Sequence, residues 1–135
     1  MLRNITKLNI TKSIIGSARR NVSTTSRLSD IFKVQDEQDF EKRVINSKNV
    51  VVVDFMATWC NPCKLLGPRI ETVINEHQGK VSLAKVDIDE LTDLSLEYGV
   101  QAVPVLAIMK DGKITTQIVG LQDIDVLRKW VKSNI

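Results

Sequence analysis

Val50–Met56 places the strongest constraint on the fold, because this segment is apolar at both odd and even positions. Asp54 is its only polar residue. A strand that is buried on one face alternates between apolar and polar residues, whereas a strand covered on both faces is apolar throughout. The segment is therefore predicted to be the central strand of a sheet that has helices packed on both sides.

Strand and helix patterns alternate along the rest of the chain from residue 30 onward. Residues 62–77 are predicted to be helical with a kink at Pro68, since proline removes a backbone hydrogen bond. Lys110, Asp111 and Gly112 are a hairpin signal between two strands. Further strands are predicted at residues 31–34, 81–87, 105–109 and 113–119, and further helices from residue 36, over 91–98 and over 123–131. The order βαβαβαββα predicts one α/β domain with a mixed sheet flanked by helices.

Charge is unevenly distributed along the sequence. The 135 residues include 19 Lys or Arg and 16 Asp or Glu, for a net charge of +3. Residues 1–29 hold six of the basic residues and no acidic residue, so residues 30–135 carry 13 basic and 16 acidic residues. The body of the protein is thus mildly acidic, which argues against nucleic-acid binding.

The composition of residues 1–29 is typical of an organelle-targeting presequence. Besides its basic residues, this leader contains nine Ser or Thr residues and lacks the apolar core of a secretory signal. We expect residues 1–29 to be a cleaved presequence, with the mature protein starting between Asn21 and Asp30. The shortness of the leader favours mitochondria, and we expect residues 30–135 to act in the mitochondrial matrix. A disordered basic tail is the alternative interpretation.

Composition also excludes several classes of protein. The apolar run over residues 103–109 contains Pro104 and is too short to cross a membrane as a helix. Two cysteines cannot build a disulfide-rich scaffold, and together with the single histidine they cannot complete a four-ligand zinc site. The sequence therefore predicts a soluble globular domain that binds no metal and contacts no membrane.

The two cysteines lie in Trp59-Cys60-Asn61-Pro62-Cys63-Lys64, where the predicted central strand is followed by a helix. The first turn of a helix can bring two such cysteines within disulfide distance. Pro62 suits that turn, because its missing N–H would have no partner within the helix. Cys60 would then lie beside unpaired amide groups at the positive end of the helix dipole, which stabilises a thiolate.

This placement predicts different roles for the two thiols. Cys60 is expected to be the more exposed thiolate that attacks a target disulfide, and Cys63 is expected to resolve the mixed disulfide. Inert buried thiols or half of a metal site are the alternatives. A metal has little support because His77 is the only histidine, and covalent haem would require a histidine where Lys64 stands.

This region resembles the thioredoxin family over residues 31–135. The similarity is carried, in order along the chain, by Val52-Val53-Asp54-Phe55, Ala57, Trp59-Cys60-x-Pro62-Cys63-Lys64, Pro68, Lys85-Val86-Asp87, Val103-Pro104 and Gly120. The resemblance implies the thioredoxin fold and a protein dithiol–disulfide oxidoreductase that reduces disulfides through a Cys60–Cys63 redox pair. It also implies a monomer with no bound cofactor, which uses NADPH and FAD indirectly through thioredoxin reductase. Peroxiredoxins and other disulfide-containing proteins are its implied partners.

The resemblance assigns a role to Asp54, which is unusual by itself as a charge in an apolar strand. Burying a carboxylate costs free energy unless the group is paired or its pKa is raised. In thioredoxins the matching aspartate lies beneath the cysteines and accepts a proton from the resolving cysteine, helped by the lysine that matches Lys85. A hydrogen-bonded structural carboxylate and a lysine that reaches solvent are the alternatives.

The resemblance further implies a substrate-binding surface around the cysteines. Its residues are Trp59, Asn61, Pro62, Val103, Pro104 and Gly120. Thioredoxins keep the peptide bond before the matching proline cis and opposite the cysteines, where the backbone of the preceding residue pairs with an extended substrate. An ordinary trans proline, a buried core tryptophan and a simple turn glycine are the alternatives.

Two residues depart from the family pattern. Asn61 stands where thioredoxins usually have glycine, and Met56 stands where they commonly have tryptophan. The residues between the cysteines tune thiolate stability, so we expect an altered reduction potential within the same reaction class. A binding module with vestigial cysteines and a disulfide-forming oxidase are the competing functions. An intact Cys60, Cys63, Asp54 and Pro104 argue against the first, and oxidases usually place a residue such as histidine between the cysteines.

Overall fold

The computed structural model describes residues 30–135, and the predicted presequence lies outside the described residues. Within that range the strands are β1 (Ile31–Lys33), β2 (Val50–Met56), β3 (Val81–Asp87), β4 (Val105–Lys110) and β5 (Lys113–Val119). The helices are α1 (Glu37–Phe40), α2 (Asn61–Asn75), α3 (Thr92–Glu97) and α4 (Ile124–Ser133), and a π-helical turn over Glu41–Ile45 continues α1. None of the helices in the described range is long and apolar enough to span a membrane.

The sheet is mixed, as the sequence predicted, and β2 lies at its centre. The strand order is β1-β3-β2-β4-β5. Strand β2 pairs with β3 in parallel and with β4 in antiparallel orientation, while β1 extends the parallel half and β5 closes the antiparallel hairpin. Because β2 has a hydrogen-bonded neighbour on each side and a layer of helices on each face, its side chains are almost completely buried.

Successive side chains of β2 enter two different hydrophobic cores. Val53 and Phe55 pack in the core that contains Phe40, whereas Val52 packs in the opposite core with Leu66 of α2. Side chains two residues apart on a strand share a face. Asp54 therefore shares its face with Val52, which is the face covered by α2.

The ends of the elements differ from the sequence prediction by one or two residues. Helix α2 ends at Asn75 rather than at residue 77, because Gln78 and Gly79 have positive φ angles of 53° and 86° and leave the helix. The helix runs through Pro68 as one assigned element, and the kink there stays a prediction. Asp36 opens α1 as expected, since its side chain accepts a hydrogen bond from the Asp39 N–H at 2.7 Å.

The β4–β5 hairpin turns at the predicted site. Asp111 and Gly112 have φ angles of 52° and 80°, the combination of a type I′ turn. A Cβ added to Gly112 would lie 3.1 Å from Cγ2 of Ile45 and 3.3 Å from its carbonyl oxygen. Both the backbone conformation and the close packing against the π-helical turn therefore require glycine at this position.

We expect opposite effects on stability from alanine at two glycines. Gly112→Ala should lower the free energy of unfolding by about 1–2 kcal/mol, because it places a Cβ at positive φ against backbone. Gly67→Ala should raise it by about 0.5–1 kcal/mol, because Gly67 lies inside α2 and a Cβ there meets nothing within 4 Å. Urea denaturation of both variants measures the difference, and equal effects at the two positions would contradict this account of the turn.

Candidate active site

The cysteine pair lies at the junction between β2 and α2. Cys60 is the N-cap residue of α2, in extended conformation, and its Sγ accepts a hydrogen bond from the Cys63 N–H at 3.2 Å. The Cα atoms are 5.3 Å apart and the two sulfurs are joined in a disulfide, so the structure represents the oxidised protein. Pro62 occupies the first turn of the helix as predicted.

The prediction that Cys60 is the more exposed cysteine is wrong for this oxidised state. Cys60 is 4% exposed and Cys63 is 7% exposed. The disulfide holds the Cys60 sulfur against the first turn of α2, and both cysteines pack with Ala57 and Val103. The difference between the two sulfurs lies instead in their neighbours: Cys60 caps the helix, whereas Cys63 lines a cavity that leads to Asp54.

Asp54 is a buried carboxylate with an unsatisfied oxygen. Asp54 is 3% exposed, and its Oδ1 has no hydrogen-bond partner among residues 30–135. It lines a cavity of about 360 Å³ between the sheet and α2, together with Cys63. Burial raises the pKa of Asp54 to about 7, with the positive charge of Lys85 lowering it and the negative charge of Glu71 raising it further.

Lys85 lies next to Asp54 but forms its ion pair with another acid. The two residues are direct partners in the register of β2 and β3. The Lys85 ammonium donates to Oε2 of Glu71 on α2, and all three side chains line the same cavity. Sequence reasoning missed Glu71. Its spacing of eight residues from Cys63, two helical turns, was the available signal that both lie on one face of α2.

The peptide bond between Val103 and Pro104 is cis, as the family resemblance implied. Val103 packs against the cluster formed by Ala57, Cys60 and Cys63, which places this segment beside the disulfide. The Gly120 N–H donates a 2.9 Å hydrogen bond to the Pro104 carbonyl oxygen, so the end of β5 is tied to the same loop. Gly120 has a φ angle of 93°, which favours glycine.

Trp59 is a surface residue rather than a buried core tryptophan. It is 65% exposed, and its indole N–H donates to Oδ2 of Asp89 at 2.8 Å. Sequence reasoning missed Asp89, which follows the carboxyl end of β3, the edge of the sheet where β2 also ends. Asn61 and Pro62 are exposed beside Trp59, so these three predicted substrate-binding residues share one accessible surface.

The thioredoxin family model matches residues 31–133 of this chain. The chain belongs to the thioredoxin family. A mitochondrial thioredoxin of Bos taurus is 49% identical over 123 residues, covering 91% of this chain and 74% of the relative. The Mus musculus mitochondrial thioredoxin is 47% identical with the same coverage. Among solved structures, an N21Q mutant thioredoxin from Halobacterium salinarum has a TM-score of 0.70 at 35% identity, covering 83% of this chain and 95% of that one.

Membership of the thioredoxin family confirms the predicted thioredoxin fold and the predicted reaction class. This thioredoxin is a thiol–disulfide oxidoreductase whose redox centre is the Cys60–Cys63 pair. Members of the family carry the two electrons on their sulfur pair and bind no cofactor of their own. Within residues 30–135, no group of three or more His, Cys, Asp or Glu side chains is placed to hold a metal ion.

The raised pKa of Asp54 predicts a pH-dependent gain in stability from Asp54→Asn. A carboxyl group whose pKa is higher in the folded than in the unfolded protein destabilises the fold as pH rises through that interval. The gain from the substitution should therefore grow from pH 4 to pH 7, by about 1.4 kcal/mol per pH unit, and level off above pH 7.

Chemical denaturation across that pH range measures this gain. The control is Asp93→Asn, which removes an exposed carboxylate on α3 and should produce no comparable slope. A gain from Asp54→Asn that is constant with pH would show that Asp54 keeps an ordinary pKa despite its burial.

Proposed function

We propose that this thioredoxin reduces protein disulfides in the mitochondrial matrix by two successive thiol–disulfide exchanges. In the reduced protein the Cys60 thiolate attacks a client disulfide, forming a mixed disulfide and releasing one client thiolate. Cys63 then attacks the Cys60 sulfur, which releases the second client thiolate and leaves the Cys60–Cys63 disulfide. The observation that carries this order is the position of Cys60 as the N-cap of α2, where a backbone N–H already donates to its sulfur.

Asp54 is the proposed base for the second exchange. Cys63 must lose its proton before it can attack, and it shares a cavity with the unpartnered Oδ1 of Asp54. A pKa of about 7 leaves Asp54 partly ionised at neutral pH while making it a stronger base than an ordinary carboxylate. Lys85, its neighbour in the sheet register, supplies the positive charge that favours the ionised form.

The client would bind across the surface that surrounds the disulfide. Trp59, Asn61 and Pro62, which flank Cys60 along the chain, are the exposed part of this surface. Val103 packs against the cluster that contains both cysteines, and the carbonyl oxygen of the adjacent Pro104 accepts a hydrogen bond from the Gly120 N–H. A client segment that lies across this surface would contact both groups of residues, which supports a role in binding extended segments of protein.

The proposed location and partners follow from the relatives and from the leader. The relatives in cattle and mouse are named mitochondrial thioredoxins, and residues 1–29 have the composition of a presequence. In the matrix, the oxidised protein would be reduced by thioredoxin reductase, which supplies electrons from NADPH through FAD. Peroxiredoxins and other disulfide-containing proteins would be the electron acceptors.

The proposed order of attack predicts different behaviour for the two cysteine variants. Cys63→Ser should accumulate a mixed disulfide with insulin through Cys60, because the resolving thiol is missing, whereas Cys60→Ser should accumulate almost none. Non-reducing electrophoresis and mass spectrometry identify the trapped species. Both variants should lose nearly all NADPH-coupled insulin reduction with mitochondrial thioredoxin reductase.

Four other outcomes would contradict the proposal. Trapping through Cys63 in the Cys60→Ser variant would reverse the roles of the two thiols. Undiminished insulin reduction by either variant would remove the need for a cysteine pair. A folded wild-type protein that fails to reduce insulin would favour the binding module with vestigial cysteines. A wild-type protein that only oxidises reduced client proteins would favour the disulfide-forming oxidase.

The leader predicts charge-dependent import into mitochondria. Replacing the six basic residues of residues 1–29 with glutamine should abolish most uptake by isolated, energised mitochondria, because the attraction to a negative-inside potential is lost. Protection from added protease measures uptake. Replacing six basic residues within 30–135 is the matched control, and uptake that depends equally on both sets would contradict the presequence.

A further inference from the structure

We propose that Glu71 is a positioning residue of the active site, which binds the Lys85 ammonium and thereby keeps Asp54 without a cationic partner. This proposal rests on the proposed role of Asp54 as the base for Cys63. It adds a third charged residue to that site and assigns it an action that passes through Lys85.

Among the described residues, a cation and an anion, Lys85 and Asp54, line the same cavity without forming an ion pair with each other. Asp54 and Lys85 are direct partners on adjacent strands, where side chains on the same face start about 5 Å apart. Oδ1 of Asp54 is nevertheless buried with no hydrogen-bond partner in the part of the chain that the structure describes. A lysine so close to an unsatisfied carboxylate would be expected to turn toward it, because burial strengthens the attraction between opposite charges.

Glu71 explains why Lys85 does not pair with Asp54. The Lys85 ammonium is bound to Oε2 of Glu71, and both side chains are about one-third exposed, at 31% and 36%. The ion pair therefore lies at the solvent side of the cavity, whereas Asp54 lies at its buried end. Water can solvate the pair at that position, so Glu71 offers Lys85 a less costly partner than the buried carboxylate.

Helix α2 presents Glu71 on the face that also carries the resolving thiol. Cys63, Gly67 and Glu71 are spaced four residues apart, and all three line the cavity. A Cβ at Gly67 would meet nothing within 4 Å, so the helix leaves open space between the thiol and the ion pair. Helix α2 therefore positions both Cys63, which loses a proton in the proposed reaction, and Glu71, which binds the Lys85 ammonium.

The electrostatics of the cavity agree with this arrangement. Lys85 lowers the pKa of Asp54 and Glu71 raises it, while burial is the largest influence. Lys64 is the other charged residue of the cavity wall, and it is exposed; Cys63 is a further titratable group once the disulfide is reduced. Removing Glu71 would therefore leave the Lys85 ammonium without its ion-pair partner, at the position next to Asp54 in the sheet register.

A cycle of variants tests whether Glu71 acts through Lys85. The titration of the Asp54 carboxyl is followed by ¹³C NMR in the full oxidised chain, for Glu71→Gln, Lys85→Gln and the double variant. Glu71→Gln should lower the midpoint for Asp54 by roughly one pH unit, because Lys85 becomes free to turn toward it. In the Lys85→Gln background the same substitution should lower the midpoint by less than half as much, since only the loss of the direct charge effect of Glu71 remains.

Glu76→Gln is the matched control for this cycle. Glu76 caps the C-terminal end of the same helix and forms an ion pair with Arg128, so the substitution removes the same charge and one ion pair away from the cavity. It should leave the Asp54 midpoint unchanged. The proposal is overturned if Glu71→Gln does not shift the midpoint, or if the shift is equally large with glutamine at position 85.

The rate of insulin reduction separates this inference from the proposed function. If Asp54 is the base for Cys63, the acid limb of the pH–rate profile should move to lower pH in Glu71→Gln by the same amount as the NMR midpoint. If the midpoint moves and the profile does not, the positioning role of Glu71 stands and the role of Asp54 as the base is contradicted. Thermal unfolding of each variant checks that the fold is retained.

Discussion

The junction between β2 and α2 is the constraint on which the rest of this protein depends. A helix must begin with amide groups that have no partner within the helix, and here the Cys60 sulfur accepts one of them. The same atom is the proposed nucleophile, so the contact that caps the helix here would also stabilise the thiolate in the reduced protein. Strand β2 fixes the position of this contact. It is held between β3 and β4, so the place where it ends and α2 begins is fixed in the fold.

The second determinant of the site is the buried carboxyl group of Asp54, which lies in an apolar strand. Asp54 occupies a position of β2 where an apolar residue would pack well, and its Oδ1 has no hydrogen-bond partner within the described residues. Such a group costs stability whenever it is ionised. The Lys85–Glu71 pair lies close enough to act on this charge but does not neutralise it by contact. The site thus combines the N-terminal end of α2, which favours an anion at Cys60, with Asp54, whose ionisation is opposed by its burial.

Sequence reasoning predicted the elements well because local rules governed them. The bounds of β2, β3 and β5 agree with the prediction, since long apolar or alternating runs flanked by polar residues and glycine define a strand by themselves. Helix ends were less accurate, because the last turn depends on local backbone conformations such as those of Gln78 and Gly79. The predicted relative exposure of the two cysteines was wrong for the oxidised protein, in which the disulfide holds the Cys60 sulfur against the first turn of α2.

The sequence by itself determined the order of strands and helices along the chain, the cysteine pair at the start of a helix and the buried aspartate. These features depend on residues that are neighbours along the chain, and the spacing of apolar residues, proline and glycine is enough to specify them. Only the tertiary structure decided that Lys85 pairs with Glu71, 14 residues away, and that Trp59 binds Asp89, 30 residues away. Such contacts depend on the register of β2 with β3 and on the packing of α2 against the sheet, which local sequence patterns do not specify.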